Sequence, residues 1–361
     1  MSGVLLYCRA GFESECAAEI QEKAGELGVY GYCKAQPDSG VVMFHCKDEE
    51  ADHIGRKLAI YRLIFARQLI VVVAECNSLT VDDRIEPIIA VLKEKDTQVC
   101  GKVWVETADT NEGRALSGLC KSISTPLRIA LRKADILTET DVDNRPVLHV
   151  MFRSTHSAIL GYSYSYNHAP YEMGIPRIRS PKLSPSRSAA KLAEAFKVMI
   201  PPHEFEKRVS SGMNAVDLGA CPGGWTAVLV AHGMMVSAVD NGAIDEKLMA
   251  TGQVKHYRED GFAFRPKRKN VQWLVCDMVE KPVKVAHLMT DWFIEGYCED
   301  AIFNLKLPMK KRYAAVHQYL DAIKARLKEA EVWGWELTAR HLYHDREEIT
   351  VYLRKKLKSL S

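Results

Sequence analysis

The twelve residues Ala215-Val216-Asp217-Leu218-Gly219-Ala220-Cys221-Pro222-Gly223-Gly224-Trp225-Thr226 constrain this chain more than any other stretch. A short apolar run ends in Asp-Leu-Gly, and Pro-Gly-Gly follows at the head of a helix-like segment. That pattern predicts a strand, a tight loop and a helix N-terminus. Gly219, Gly223 and Gly224 lack side chains, so a ligand can approach the backbone closely. The helix entry offers unpaired N–H donors to an anionic group. The spacing is not the dinucleotide fingerprint GxGxxG, which argues against a nicotinamide enzyme.

The string resembles the cofactor loop of the S-adenosylmethionine-dependent methyltransferases, in the FtsJ-like 2′-O-ribose form with Asp-Leu-Gly-Ala-x-Pro-Gly-Gly-Trp. This resemblance runs from about Ser186 to the C-terminus. With the N-terminal half included, the chain is similar to enzymes that modify large-subunit ribosomal RNA. The resemblance implies a Rossmann-like α/β domain and S-adenosyl-L-methionine as cofactor. It also implies 23S rRNA or a large-subunit assembly intermediate as partner, with a cytidine 2′-hydroxyl as acceptor. No metal and no membrane are expected, and the chain is expected to act as a monomer.

The chain has 361 residues, enough for two or three domains with their own cores. Its 47% hydrophobic and 26% charged residues describe a globular protein. The net charge of +3 is modest, so RNA binding must come from local clusters of basic residues. The 10 cysteines are scattered with no CxxC pair, so zinc is not expected. With no signal peptide in view, they read as reduced thiols in the cytoplasm.

Element order predicts four segments. Residues 1–75 alternate as β-α-β-(β)-α-β, a ferredoxin-like α+β unit that either binds RNA or is purely structural. Residues 76–167 carry a helix over Asp82–Lys95 and another over Ser117–Ala134, broken near Pro126. Strands follow at Val147–Phe152 and Ala158–Tyr166. Placed before a methyltransferase, this second unit resembles a THUMP RNA-binding domain. Tyr162, Tyr164 and Tyr166 alternate along the last strand, so all three rings should share one sheet face, to stack on bases or to pack against a helix. Residues 168–185 form a linker rich in proline. With the residues just after it the linker holds Arg177, Arg179, Lys182 and Arg187, which are either solvated or in contact with RNA phosphates. Residues 186–361 alternate strand and helix as a doubly wound sheet, with ligands at the carboxyl ends of its strands. An antiparallel last strand is implied by the resemblance.

Three acids end predicted strands of this domain: Asp240, Asp260 and Asp277. Asp240 lies about twenty residues past the glycine loop, where a carboxylate can accept both hydroxyls of a ribose. The resemblance places Asp260 near the adenine and Ser188 beside the cofactor. The cofactor set is therefore Ser188, Gly219, Cys221, Pro222, Gly223, Gly224, Asp240, Asp260 and Asp277.

The catalytic set implied by the resemblance is lysine, aspartate, lysine and glutamate. Lys191 lies in Ser186-Arg187-Ser188-Ala189-Ala190-Lys191-Leu192, Asp277 follows Trp-Leu-Val-Cys, and Lys306 ends the apolar run Ile302-Phe303-Asn304-Leu305. For the fourth, Glu348 fits best, with Glu347 and His344 as alternatives. A ribose 2′-hydroxyl is a weak nucleophile and must lose its proton as it attacks. Burial and the like charge of Lys191 favour Lys306 as the base that takes it. The cluster Lys310-Lys311-Arg312 opens a helix, where cations are disfavoured unless they bind phosphate or face solvent. Two base-directed chemistries compete. Amino methylation needs an Asn/Asp-Pro-Pro-aromatic loop, where this chain has Asp277-Met278-Val279-Glu280. A pyrimidine C5 enzyme needs a nucleophilic cysteine, for which Cys221 and Cys276 are the candidates. A non-catalytic rRNA-binding assembly factor is the remaining alternative.

Overall fold

The computed structural model describes residues 2–357; the outermost residues of the expected first and last segments, 1 and 358–361, lie outside the described residues. The chain divides into two compact units, Met1–Ile175 and Pro176–Ser361.

The first unit begins with β1 (Gly3–Tyr7), α1 (Glu13–Glu26), β2 (Tyr32–Ala35), β3 (Val41–His45), α2 (Asp48–Lys57) and β4 (Gln68–Cys76). It continues with α3 (Ile85–Glu94), β5 (Lys102–Thr107), α4 (Asn111–Lys133), β6 (Val147–Ser154) and β7 (Ser157–Ser163). Its seven strands make one sheet, in the order β2-β3-β1-β4-β7-β6-β5. β4 pairs with β1 on one side and β7 on the other, so a single sheet runs through both halves of the unit.

Two local expectations are corrected here. α4 is continuous across Pro126. Its buried face, Cys120, Ile123, Leu127 and Leu131, packs in an apolar cluster with Val103, Leu148 and Val150. Pro126 lies on the exposed side, so the helical carbonyl it leaves unpaired faces water, and burial of the other face keeps the helix together. β7 ends at Ser163, and Asn167 N donates to Tyr164 O at 2.9 Å in the turn that follows, so the alternation does not extend to Tyr166. Tyr162 and Tyr164 both donate their hydroxyls to Asp52 Oδ1 of α2, whereas Tyr166 stacks on Tyr164 and stays 69% exposed. Residues 167–174 pack onto this unit: Asn167 Nδ2 donates to Gly55 O and Leu58 O at 2.7 and 2.8 Å, and Ala169 N donates to Gln68 Oε1 at 3.1 Å.

The second unit contains α5 (Ala189–Met199), α6 (Phe205–Arg208), β8 (Asn214–Leu218), α7 (Gly224–Ala231), β9 (Met235–Val239), α8 (Glu246–Met249) and β10 (Val254–Tyr257). It continues with β11 (Val271–Cys276), α9 (Pro282–Ile294), β12 (Cys298–Lys306), α10 (Arg312–Glu329), β13 (Trp335–Arg340) and β14 (Glu348–Lys355). The sheet order is β10-β9-β8-β11-β12-β14-β13. β10, β9, β8, β11 and β12 are parallel, while β14 runs antiparallel between β12 and β13. β8 and β11 read as near-continuous apolar runs because helices cover both faces of a parallel sheet. Leu192, Phe196, Trp225, Leu229 and Trp273 lie in the core on the α5 and α7 side. This layering brings the ends of β8, β9, β11 and β12 to one edge of the sheet, with β14 returning to meet them. No described helix is long and apolar enough to cross a membrane.

Candidate active site

The glycine loop is pinned at both ends. Gly219 N and Ala220 N donate to Val239 O at 2.9 and 3.2 Å, tying the exit of β8 to the end of β9. Gly219 has φ +77° and Gly223, the N-cap of α7, has φ +115°, values that favour glycine. A Cβ on Gly219 would stand 2.3 Å from Met278 Cγ, and one on Gly223 would stand 2.5 Å from Leu248 Cδ1. The Cys221–Pro222 bond is cis. Behind the loop Asp217 is buried and accepts from Thr226 Oγ1 at 2.7 Å, which couples the end of β8 to the first turn of α7. Burial pushes the Asp217 carboxyl up to about 7.

The other cofactor candidates surround this loop. Asp240 follows β9; its Oδ2 accepts from Cys221 N at 3.1 Å and its Oδ1 from Gly242 N at 2.7 Å. Both bonds orient the carboxylate beside the loop. Ser188 O accepts from Trp225 Nε1 at 3.1 Å, and a Cβ on Gly224 would stand 2.3 Å from Ser188 Oγ. Asp260 follows β10 and accepts from Phe262 N at 2.9 Å, as a turn former would. A Cβ on its neighbour Gly261 would lie 3.2 Å from Met278 Sδ, the side chain that also covers Gly219. Met278 therefore brings the loops after β8, β10 and β11 together. Ser188, Gly219, Cys221, Pro222, Gly223, Gly224, Asp240, Asp260 and Asp277 all lie along this one edge.

Next to it stands a cluster of two lysines and two acids. Lys191, on α5, lies 3.1 and 3.2 Å from the two carboxylate oxygens of Asp277 and 2.6 Å from Glu348 Oε1. Lys306 Nζ donates to Glu348 Oε2. Backbone register explains the second pair: in the antiparallel β12–β14 ladder Lys306 is directly opposite Glu348. The two alternatives point elsewhere. Glu347 Oε2 lies 2.9 Å from Arg312, and His344 Nδ1 lies 2.6 Å from Glu194 Oε2.

The electrostatics of the four groups differ. Burial works against the Lys191 ammonium, but the Asp277 charge and the Glu348 hydrogen bond outweigh it, holding Lys191 above the ordinary lysine value. Burial likewise works against the Glu348 carboxylate, and its bonds to Lys191 and Lys306 reverse that, holding it below the usual range. Asp277 is raised, because burial and the nearby Glu348 charge exceed what its share of Lys191 returns. Lys191 is thus a fixed cation between two acids, with 17% of its side chain exposed. Among the described residues Lys306 pairs with one acid, and at 39% exposure its side chain is the more accessible of the two lysines.

Several polar residues that sequence reasoning passed over support this cluster. Asn304 Nδ2 donates to Asp277 Oδ1 at 3.1 Å, and Thr350 Oγ1 lies 2.9 Å from Asn304 Oδ1. Glu194 receives the N–H groups of Tyr343 and His344 at 2.7 and 2.9 Å, fixing the turn that precedes β14. Asn304 within an apolar strand was the available signal, since a buried amide needs partners. Of the two cysteines, Cys276 is buried, which pushes its thiol up to about 12, unsuited to act as a nucleophile. Cys221 is exposed, and its Sγ donates to Ala243 O at 3.2 Å.

Known proteins resemble the chain along its whole length. Residues 1–70 match the model of the RlmM ferredoxin-like domain. Residues 83–164 match that of ribosomal RNA large subunit methyltransferase M, N-terminal, and residues 185–309 that of FtsJ-like methyltransferase. Ribosomal RNA large subunit methyltransferase M of Idiomarina loihiensis is 57% identical over 98% of this chain and 96% of its own. The protein of the same name from Aeromonas salmonicida is 53% identical over 99% and 97%, and that of Proteus mirabilis 54% identical over 98% and 97%.

Proposed function

The chain belongs to the ribosomal RNA large subunit methyltransferase M family, and from that premise we propose that it methylates a ribose 2′-hydroxyl, that of a cytidine in 23S rRNA, with Lys306 as general base. The observation that carries this reading is the Lys191–Asp277–Glu348–Lys306 cluster beside the glycine loop.

The residues present fit S-adenosyl-L-methionine. In the loop from Gly219 to Gly224 the three glycines stand against Met278, Leu248 and Ser188, so the tight turn and its close-lying backbone require residues without side chains, and Asp240 is held with its carboxylate beside it. Asp240 would take the ribose hydroxyls, Ser188 and the α7 entry the amino-acid end, and Asp260 the adenine edge. When bound, the cofactor supplies an electrophilic methyl group on a sulfonium centre. This chain's own work is to bind the RNA ribose, orient its 2′-hydroxyl and remove its proton. Lys306, once it has released its own ammonium proton to solvent and stands as the neutral amine, receives the hydroxyl proton at Nζ. Lys191 remains an ammonium that keeps Glu348 and Asp277 ionised and in place, and Glu348 holds Lys306 toward the acceptor. The reaction needs proximity and one proton transfer.

Incubating the protein with isotopically labelled S-adenosylmethionine and unmodified 23S rRNA, then digesting the RNA to nucleosides, tests the reading. Label in 2′-O-methylcytidine is expected. Label in a base-methylated nucleoside, or none in a folded protein that binds the cofactor, overturns it in favour of a base-directed enzyme or an assembly factor.

A further inference from the structure

Asp345, Thr350, Asn304 and Asp277 form one line of side-chain hydrogen bonds that starts in the core and ends at the lysine–acid cluster. Asp345 and Thr350 are fully buried and Asn304 is 3% exposed. Asp345 lies in the turn before β14, Thr350 on β14, and Asn304 opposite Thr350 on β12. The distances are 2.9 and 3.1 Å from Thr350 Oγ1 to the two Asp345 oxygens, 2.9 Å from Thr350 Oγ1 to Asn304 Oδ1, and 3.1 Å from Asn304 Nδ2 to Asp277 Oδ1.

Donor bookkeeping gives the line a direction. Asp277 is an acceptor toward Asn304, so the amide must present its NH2 there and its oxygen to Thr350. That oxygen needs a donor, and the Thr350 hydroxyl has a single proton to give. With that proton committed to Asn304, Thr350 meets Asp345 with lone pairs, and the contact is a hydrogen bond only if Asp345 carries a proton. The other polar partner of Asp345, the Leu342 N–H, donates to Oδ2 at 3.0 Å, leaving Oδ1 as the natural seat of the acid proton. We propose that Asp345 is a neutral carboxylic acid anchoring a one-way donor chain, Asp345 to Thr350 to Asn304 to Asp277, which positions Asp277 against Lys191. Burial and the charge of Glu348 push the Asp345 carboxyl well above the usual range, in agreement with that protonation. Were Asp345 ionised, it would take the Thr350 proton, and Asn304 Oδ1 would be left without a donor. The amide could then turn and present its oxygen to the Asp277 carboxylate.

These are positioning residues, since none but Asp277 touches the lysines. The inference rests on the reading of the cluster as the transfer site. Single-turnover methyl transfer by the full-length protein, with cofactor affinity from calorimetry, tests it. Thr350→Val keeps the shape and removes the hydroxyl; it should slow transfer about tenfold to a hundredfold and leave cofactor affinity unchanged. Thr350→Ser should restore the rate to within about threefold, because a serine hydroxyl can keep the same two bonds. Combined with Asp277→Asn, Thr350→Val should cost nothing further, since the chain would then end on a group already lost. Asp345→Asn should retain activity, because its amide also donates to Thr350 and its oxygen accepts from Leu342. A wild-type rate for Thr350→Val, an undiminished cost in the Asp277→Asn background, or an inactive but folded Asp345→Asn would each overturn the chain. Should Thr350→Val not fold, the Thr350→Ser and Asp345→Asn rates still decide. Lys306→Ala run alongside separates the two claims: if it transfers methyl at the wild-type rate the site reading fails, and if it is inactive while Thr350→Val is not slowed only the chain fails.

Discussion

Lys191 and Lys306 carry the same charge and answer to different constraints. Lys191 is shared by Asp277 and Glu348 and stays protonated; Lys306 pairs, among the described residues, with Glu348 alone and is the more exposed of the two. Replacing Lys306 with Ala should lower single-turnover transfer about a hundredfold to ten-thousandfold, the usual span for a general base, with cofactor affinity from calorimetry unchanged. Lys306→Arg should stay equally slow, because a guanidinium keeps its proton at any accessible pH. A variant within a few-fold of wild type would move the base elsewhere. Glu348 gives a pH dependence of stability. Its folded pKa is depressed, so its ion pairs contribute fully above the unfolded glutamate value of about 4.3 and are lost as pH falls through the lower folded value. Urea melts should therefore show Glu348→Gln less stable than wild type at pH 7, on the order of 2 kcal/mol, with the gap closing as the pH drops below about 4. A gap that is the same at both pH values would mean that the carboxylate charge is not what stabilises the site.

At the scale of elements, the site is the product of one loop and one ladder. Gly223 tests the loop. Its φ of +115° and the 2.5 Å approach to Leu248 leave no room for a methyl group, so Gly223→Ala should strain the entry of α7. Cofactor binding should weaken at least tenfold by calorimetry, as it should for Asp240→Ala, which removes the acceptors for the ribose hydroxyls. Unchanged affinity in either folded variant would displace the cofactor from this loop. The loop was legible in the sequence because Asp217 to Thr226 is contiguous and its chemistry is local. Lys191, Asp277 and Lys306 were singled out by resemblance, since three residues so far apart meet only through the sheet order. The choice among Glu348, Glu347 and His344 was open, because a one-residue change of register turns a side chain to the other face of the sheet. The β12–β14 pairing sets Glu348 beside Lys306 and turns Glu347 to Arg312. Pro126 misled for the converse reason: the residue signals a break locally, and the burial that overrides it depends on strands distant in sequence.

For the molecule as a whole, the two compact units divide the chain between Ile175 and Pro176, and the loop and the lysine–acid cluster fall in the second. That unit has its own apolar core around Trp225, Trp273 and Phe196. A fragment beginning at Pro176 should fold and bind S-adenosylmethionine with near-native affinity, yet methylate 23S rRNA poorly if the first unit delivers the RNA. With a net charge of only +3, the chain needs more than bulk attraction to find one nucleotide. Full transfer activity of the fragment on the natural substrate would deny the first unit that role. The placement of a methyl group on a ribose oxygen by the cluster around Lys306 is the step on which the proposed function rests. It is tested most directly by mass mapping of 23S rRNA from cells lacking this protein, complemented with the wild-type chain or with Lys306→Ala. One cytidine should carry a 2′-O-methyl group with the wild-type chain, and none should at that position with Lys306→Ala. A methyl group on a base, or the same ribose methylation supported by Lys306→Ala, would contradict it.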